Sequence, residues 1–185
     1  MTTRDRLIDS TRELLWERGY VGTSPRAIQE RAGAGQGSMY YHFTGKPDLA
    51  LAAVTRSAAE LRTLAGAALS GPGTAVDRIA AYLRREREVL RGCPIGRLAA
   101  DPDIISNPEL RQPLEDMFAW LRGRLAEVLR IGQAAGELPS SVDPDDMSAT
   151  ILAVLQGGYV LARAANSVEP FDRAVGGILD LLGRL

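Results

Sequence analysis

The sequence predicts an all-α fold of about nine helices, and three observations carry that prediction. Apolar residues recur at helical spacing through nearly all of the 185 residues. Ala, Leu, Arg and Gly dominate, while aromatic residues make up only 5% and β-branched residues are sparse, a composition that favours helix over sheet. Gly and Pro punctuate the periodic stretches at the places where helices stop and start. No strand is predicted, and no repeat or low-complexity segment interrupts the pattern.

Leu7, Ile8, Thr11, Leu14 and Leu15 make a stripe of helical period that stops at Gly19. Ser24-Pro25 then reads as an N-cap followed by the first helical residue, opening a short helix through Ala27, Ile28 and Ala32 that ends at Gly33. A third short helix fits Gln36 to Phe43. After Thr44-Gly45 a long helix runs from Lys46 to Leu69, followed by one predicted over Thr74 to Arg91 that would bury Val76, Ile79, Ala80, Leu83 and Leu90. A short helix around Leu98 precedes a Pro- and Asp-rich loop, Asp101 to Pro108, and a long helix ending near Gly136. Asp143-Pro144 caps the next helix, and the last runs from about Pro170 to Leu185. The expected domains are 1–45 and 46–185.

Apolar residues at 45% and charged residues at 24% are ordinary for a globular protein. A single Cys excludes an intramolecular disulfide, and with a single His it excludes a Cys/His zinc cage; no metal and no cofactor is expected. The N-terminal MTTRDRLIDSTRELL lacks a signal-peptide apolar run, and no window reaches the roughly 18 apolar residues of a membrane span. A soluble cytoplasmic protein without a membrane partner is the expectation. The net charge of −1 is unevenly spread, with seven basic and five acidic residues in 1–46, hence +2. That surplus favours an anionic partner at the N-terminal end only in company with a motif.

The motif is there. Two short helices joined by a tight Gly-containing turn and preceded by a supporting helix follow the helix-turn-helix plan. At about 100° per residue, Met39 and Phe43 share a face that can pack on Leu14, Leu15 and Ile28. Gly37, Ser38 and Tyr41 lie opposite, flanked by Gln36, Tyr40 and His42. Gln36 suits a two-fold pairing with an adenine edge, Ser38 donates or accepts, and Gly37 lets the backbone approach a groove wall. Tyr hydroxyls, an imidazole N–H and Lys46, the only Lys, suit phosphates, as does Arg26 in the first turn of the second helix. His42 has no Ser or Cys elbow or carboxylate constellation beside it, so no catalytic residue is assigned and no enzyme is expected.

The segment Arg4 to Leu51, including ERGYVGTSPRAIQERAGAGQGSMYYHFTGKPDLA, resembles the N-terminal domain of TetR/AcrR-family transcriptional regulators. The resemblance rests on Gly19-Tyr20, Thr23-Ser24, Ile28 with Ala32-Gly33, the Tyr-Tyr-His-Phe run, and Gly45-Lys46 followed by Asp48-Leu49. It implies that Gln36, Gly37, Ser38, Tyr40 and Tyr41 face bases or adjacent phosphates, and that His42 and Lys46 clamp the backbone. The chain departs from the family at Ala34 and Gly35, where a larger aliphatic residue and Ser or Thr are common, and at Gln36, often Lys. Those departures imply a weaker helix cap and less positive charge.

Gly92-Cys93-Pro94 followed by Leu98, Ala99 and Ala100 resembles the LmrA/YxaF-like subgroup of the same family. Cys93 is read as a small buried residue at a helix break, with pocket lining or redox sensing as the alternative. Tyr82, Leu98, Met117, Trp120, Met147, Gln156 and Tyr159, with Cys93, are the expected lining of an apolar ligand pocket. Ala149, Leu152, Ala153, Gly157, Val160 and Ala164, with Val175, Ile178 and Leu182, are the expected dimer surface, since a monomer would leave apolar area on both final helices. The resemblance implies an N-terminal three-helix DNA-binding domain plus a C-terminal helical ligand-binding and dimerisation domain. The expected function is a homodimeric repressor, released from double-stranded operator DNA by a small apolar or amphipathic effector. The alternative is a helical small-molecule carrier with a weakened DNA head.

Overall fold

The computed structural model describes residues 1–185 and contains nine α-helices, two 3-10 turns and no strand. The helices are α1 (Thr3–Arg18), α2 (Pro25–Ala32), α3 (Gln36–His42), α4 (Lys46–Leu69), α5 (Ala75–Arg84), α6 (Pro102–Ser106), α7 (Pro108–Ala134), α8 (Pro144–Ala165) and α9 (Glu169–Leu182). The 3-10 turns are Val89–Arg91 and Gly96–Ala100.

The starts are written in local chemistry. Thr2 and Thr74 each accept the amide of the Asp three residues on, and that Asp returns a carboxylate oxygen to the cap residue's own N–H. Asp143 accepts the amides of Asp145 and Asp146 at 2.8 and 3.1 Å, with Pro144 as the first helical residue.

Two predicted elements differ. The helix expected to reach Arg91 stops at Arg84, and Arg85 is extended. The Arg87 side chain turns back to donate to the carbonyls of Tyr82 and Arg85, taking acceptors that a continuing helix would have used. Leu90 is consequently exposed rather than buried. The expected Asp101–Pro108 loop contains α6, because Asp101 accepts the Asp103 amide at 3.2 Å ahead of Pro102, the same cap chemistry as at Asp143-Pro144.

The chain packs as two compact units, residues 1–60 with 94–117 and residues 61–93 with 118–185, so the packing does not divide at 45/46. In the first unit α1 packs on α2, α3 and the turn Gly96–Ala100, around Leu7, Leu14, Ile28, Met39, Phe43 and Leu98, all nearly or fully buried. In the second, α8 packs along α9, and α5 and the turn Val89–Arg91 join that pair. By length and composition alone, α8 is long and apolar enough to cross a membrane. Its stripe Ile151, Leu155, Gly158, Tyr159 and Ala162 is buried, as in a core helix. At Gly158 α9 comes close, since a methyl there would lie 3.1 Å from the Phe171 ring.

Candidate nucleic-acid interface

The turn between α2 and α3 is fixed from both ends. Ser24 accepts the Ala27 amide at 3.1 Å to open α2. Gly33 closes it in the left-handed conformation, φ 58° and ψ 40°, which a β-carbon would disfavour. Ala34 N–H donates to the Gln29 carbonyl at 3.0 Å, completing the reversal. Gly35 then stands at the N-cap of α3 with no side-chain hydrogen bond, as the departure at that position implies.

Met39, fully buried, and Phe43 anchor α3 to the core, and Gln29 Nε2 donates to Met39 Sδ at 3.5 Å. A two-pronged ion pair, Arg31 to Glu17 at 2.8 and 2.9 Å, ties α2 to α1. With α3 held on its inner side, its outer side is free. Tyr41 is 84% exposed and Tyr40 51%, and Gln36 and Gly37 are exposed beside them, while Ser38 and His42 are half-exposed. No hydrogen bond within the chain engages the side chains of Gln36, Ser38, Tyr40 or Tyr41, so their side-chain polar atoms are available to a partner. A β-carbon on Gly37 would meet nothing within 4 Å, so close approach is open there. The His42 ring stacks edge-on against Tyr41 at 4.9 Å. No acidic residue lies between Glu30 and Asp48.

The two basic candidates are less free than their sequence positions suggest. Arg26 is exposed, but its guanidinium pairs with Glu30 at 2.8 Å, which raises its pKa and occupies part of its donor fork. The Lys46 ammonium sits 3.9 Å from the centroid of the Tyr20 ring. Burial lowers its pKa, and the charges of Asp103 and Asp101 oppose that shift. Lys46 therefore anchors the start of α4 to the end of α1 before it meets any phosphate.

Sequence reasoning missed the group that fixes this end of α1. Asp101 Oδ2 accepts the amides of Tyr20 at 2.7 Å and Val21 at 3.1 Å, and Arg97 donates to the carbonyls of Trp16 and, at 3.2 Å, Glu17. The guanidinium on helix-terminal carbonyls complements the C-terminal end of α1, and the carboxylate satisfies two amides that follow it. The Asp101-Pro102 pair carried the cap signature that Ser24-Pro25 and Asp143-Pro144 also carry, but its reach across to Tyr20 has no local signal.

The residues expected to line a ligand pocket are only partly gathered. In the second unit Tyr82 and Tyr159 are buried and share Arg87, which donates to the Tyr159 hydroxyl at 3.3 Å. Burial raises the pKa of each phenol, and the Arg87 guanidinium opposes that shift. Trp120 lies against Gly66 of α4, while Met147 and Gln156 are half-buried on α8. Leu98 and Met117 are buried in the first unit.

The expected dimer surface is corrected in part. Leu152, Val175, Ile178 and Leu182 are 8% exposed or less, because α8 and α9 turn these faces inward within one chain. Ala149 and Gly157 are half-exposed, and Ala153, Val160 and Ala164 are exposed, joined by Leu161 and Leu181, which the expected set omitted.

Residues 7–53 match the family described as bacterial regulatory proteins, tetR family, and residues 74–178 match the tetracyclin repressor-like, C-terminal domain. The HTH-type transcriptional regulator LmrA of Bacillus subtilis is 28% identical over 189 residues, covering 98% of this chain and 97% of its own. A TetR transcriptional regulator from Chloroflexus aurantiacus superposes with a TM-score of 0.86 at 30% identity, covering 96% of this chain and 92% of that one. The fold is shared with the TetR-family regulator CifR, whose cysteine mutant was solved with 26 bp of double-strand operator DNA (TM-score 0.81, 23% identity, 95% and 94% covered). This chain belongs to the TetR family of transcriptional regulators.

Proposed function

We propose that this TetR-family chain is a homodimeric repressor that reads a palindromic operator with α3 and leaves it when a small apolar or amphipathic effector binds. The observation that carries the DNA reading is the outer face of α3. It combines an exposed Gln36, a Gly37 open to close approach and two exposed tyrosines, with no acid on the helix and no internal partner for the polar groups. Gln36 and Ser38 read base edges; Tyr40, Tyr41, His42, Arg26 and Lys46 position the head on phosphates. CifR's operator complex supports DNA as the partner class.

Dimerisation rests on the exposed strip Ala153, Val160, Leu161, Ala164 and Leu181, an apolar surface of the kind that marks an interaction site. Two copies then present two α3 helices to successive major grooves, about 34–36 Å apart. The effector acts through α4, which begins at Lys46 next to the reading head, and its influence is limited by its differential affinity for the two states.

Titration of the purified protein against fluorescent fragments of its own upstream DNA tests the reading. Tyr41→Ala and Gln36→Ala are expected to weaken binding about tenfold with the helical spectrum unchanged, since each lost contact is worth about 1–3 kcal/mol. Unchanged binding in both variants overturns the assignment of α3 as the reading element. No retardation of any genomic fragment at low salt favours the carrier reading instead.

A further inference from the structure

The second unit contains a positively charged cluster that no part of the repressor reading uses. After α5 ends, residues 85–87 and the start of α9 bound an open pocket of about 520 Å³, within the size range of small-molecule sites. Leu83, Val89, Phe171 and Val175 give it an apolar floor, and Arg84, Arg85 and Arg87 stand over that floor.

Arg85 and Arg87 are half-buried and lack the carboxylate partners that guanidinium groups withdrawn from water usually have. The titratable groups that act on Arg85 are Arg87, Tyr82, Tyr159 and Cys93, with no carboxylate among them. Its Nε is buried and has no hydrogen-bond partner. Arg87 is fixed by neutral acceptors only, the carbonyls of Tyr82 and Arg85 and the Tyr159 hydroxyl. Both guanidinium groups lie within 6 Å of the Tyr82 ring centroid, at 5.8 and 5.7 Å, so two like charges converge on one aromatic ring. Arg87 also lies 5.5 Å from the Phe171 centroid, which fixes it where the pocket wall begins. Burial and Arg87 together push the Arg85 pKa down, as uncompensated charge requires.

We propose that this pocket binds a singly charged anionic amphiphile, with its head group on Arg85 and Arg87 and its apolar body on Leu83, Val89, Phe171 and Val175. An anion seated there supplies the missing counter-charge and a planar acceptor for the guanidinium fork. The exposed Glu86 and Asp172 also line the pocket and disfavour a more highly charged head group. The inference concerns ligand binding by the second unit and stands whether or not the chain binds DNA.

Calorimetric titration of the full chain with octanoate, octanol and octyl phosphate tests it. Octanoate is expected to bind about tenfold more tightly than either of the others, and to weaken as salt is raised. Arg85→Gln removes the half-buried charge without removing a hydrogen bond made by that side chain, and is expected to cost about tenfold in octanoate affinity while octanol is unaffected. Gly176→Leu fills the floor: a β-carbon there meets nothing within 4 Å, and leucine favours the helix, so the fold is kept while both ligands are excluded. Equal affinity for octanoate and octanol, or octanoate binding unchanged in Arg85→Gln or in Gly176→Leu, overturns the proposal. DNA titration of the same variants without ligand separates this outcome from failure of the repressor reading.

Discussion

Replacing Asp101 with Ala removes a carboxylate that accepts three amides, those of Tyr20, Val21 and Asp103. A hydrogen bond to a charged group contributes about 1.5–3 kcal/mol when shielded from water, and less when exposed. The Tyr20 bond, 2.7 Å and partly buried, takes a value of about 1.5 kcal/mol. The exposed Val21 bond adds about 0.5 kcal/mol, and loss of the α6 cap about 1 kcal/mol. Asp101→Ala is therefore expected to destabilise the protein by about 3 kcal/mol, and Asp101→Asn, which keeps an acceptor oxygen but no charge, by about half as much. Urea denaturation followed by circular dichroism gives the free energy, with an expected fall in melting temperature of about 6–12 °C for the Ala variant. Because α1 is paired with α2 through Glu17 and Arg31, displacing the end of α1 should also weaken operator binding severalfold. A stability change below about 1 kcal/mol in Asp101→Ala would refute the reasoning, since it would mean that water replaces the carboxylate at Tyr20 without loss.

Met39→Ala is expected to cost about 2–5 kcal/mol in the same denaturation assay, because Met39 is fully buried under α3 and its removal leaves a cavity. Gly35→Ser supplies the missing cap of α3, and the extended backbone of Gly35, with open space around it, accommodates the side chain. It should add a few tenths of a kcal/mol in a melting experiment and leave the exposed face of α3 unchanged. The carboxyl of Asp77 is held below its ordinary range by the Thr74 hydroxyl and amide. A depressed folded-state pKa means that this contribution is complete above about pH 4 and is lost as pH falls through the folded value. Comparing the parent with Asp77→Asn, the stability difference present at neutral pH should therefore shrink in acid, as read by melting between pH 7 and 2.

The reading head was legible because its instructions are local. Ser24-Pro25, Gly33 and the spacing of Met39 and Phe43 specify a cap, a reversal and a buried face within a few residues, and the structure uses each one. The end of α5 was not legible, since it depends on Arg87 reaching back to the Tyr82 carbonyl rather than on a helix-breaking residue. Val175, Ile178 and Leu182 were assigned to a second copy because an amphipathic stripe records that a face must be covered without recording by what. Here α8 of the same chain covers it. The grip of Asp101 on Tyr20 spans some eighty residues of sequence, and no local pattern announces a contact of that range.

The interleaving of residues 1–60 with 94–117 limits how the head can be handled. A fragment ending at residue 60 would lack Ile95, Leu98, Ile104, Leu110 and Leu114, all buried in the same unit, as well as the groups that close α1. On the ribosome the first three helices therefore emerge well before the segment that completes their support. Exchange of reading heads between relatives requires two grafts made together: a cut at a single junction transplants the helices that face DNA without the residues that hold them in place.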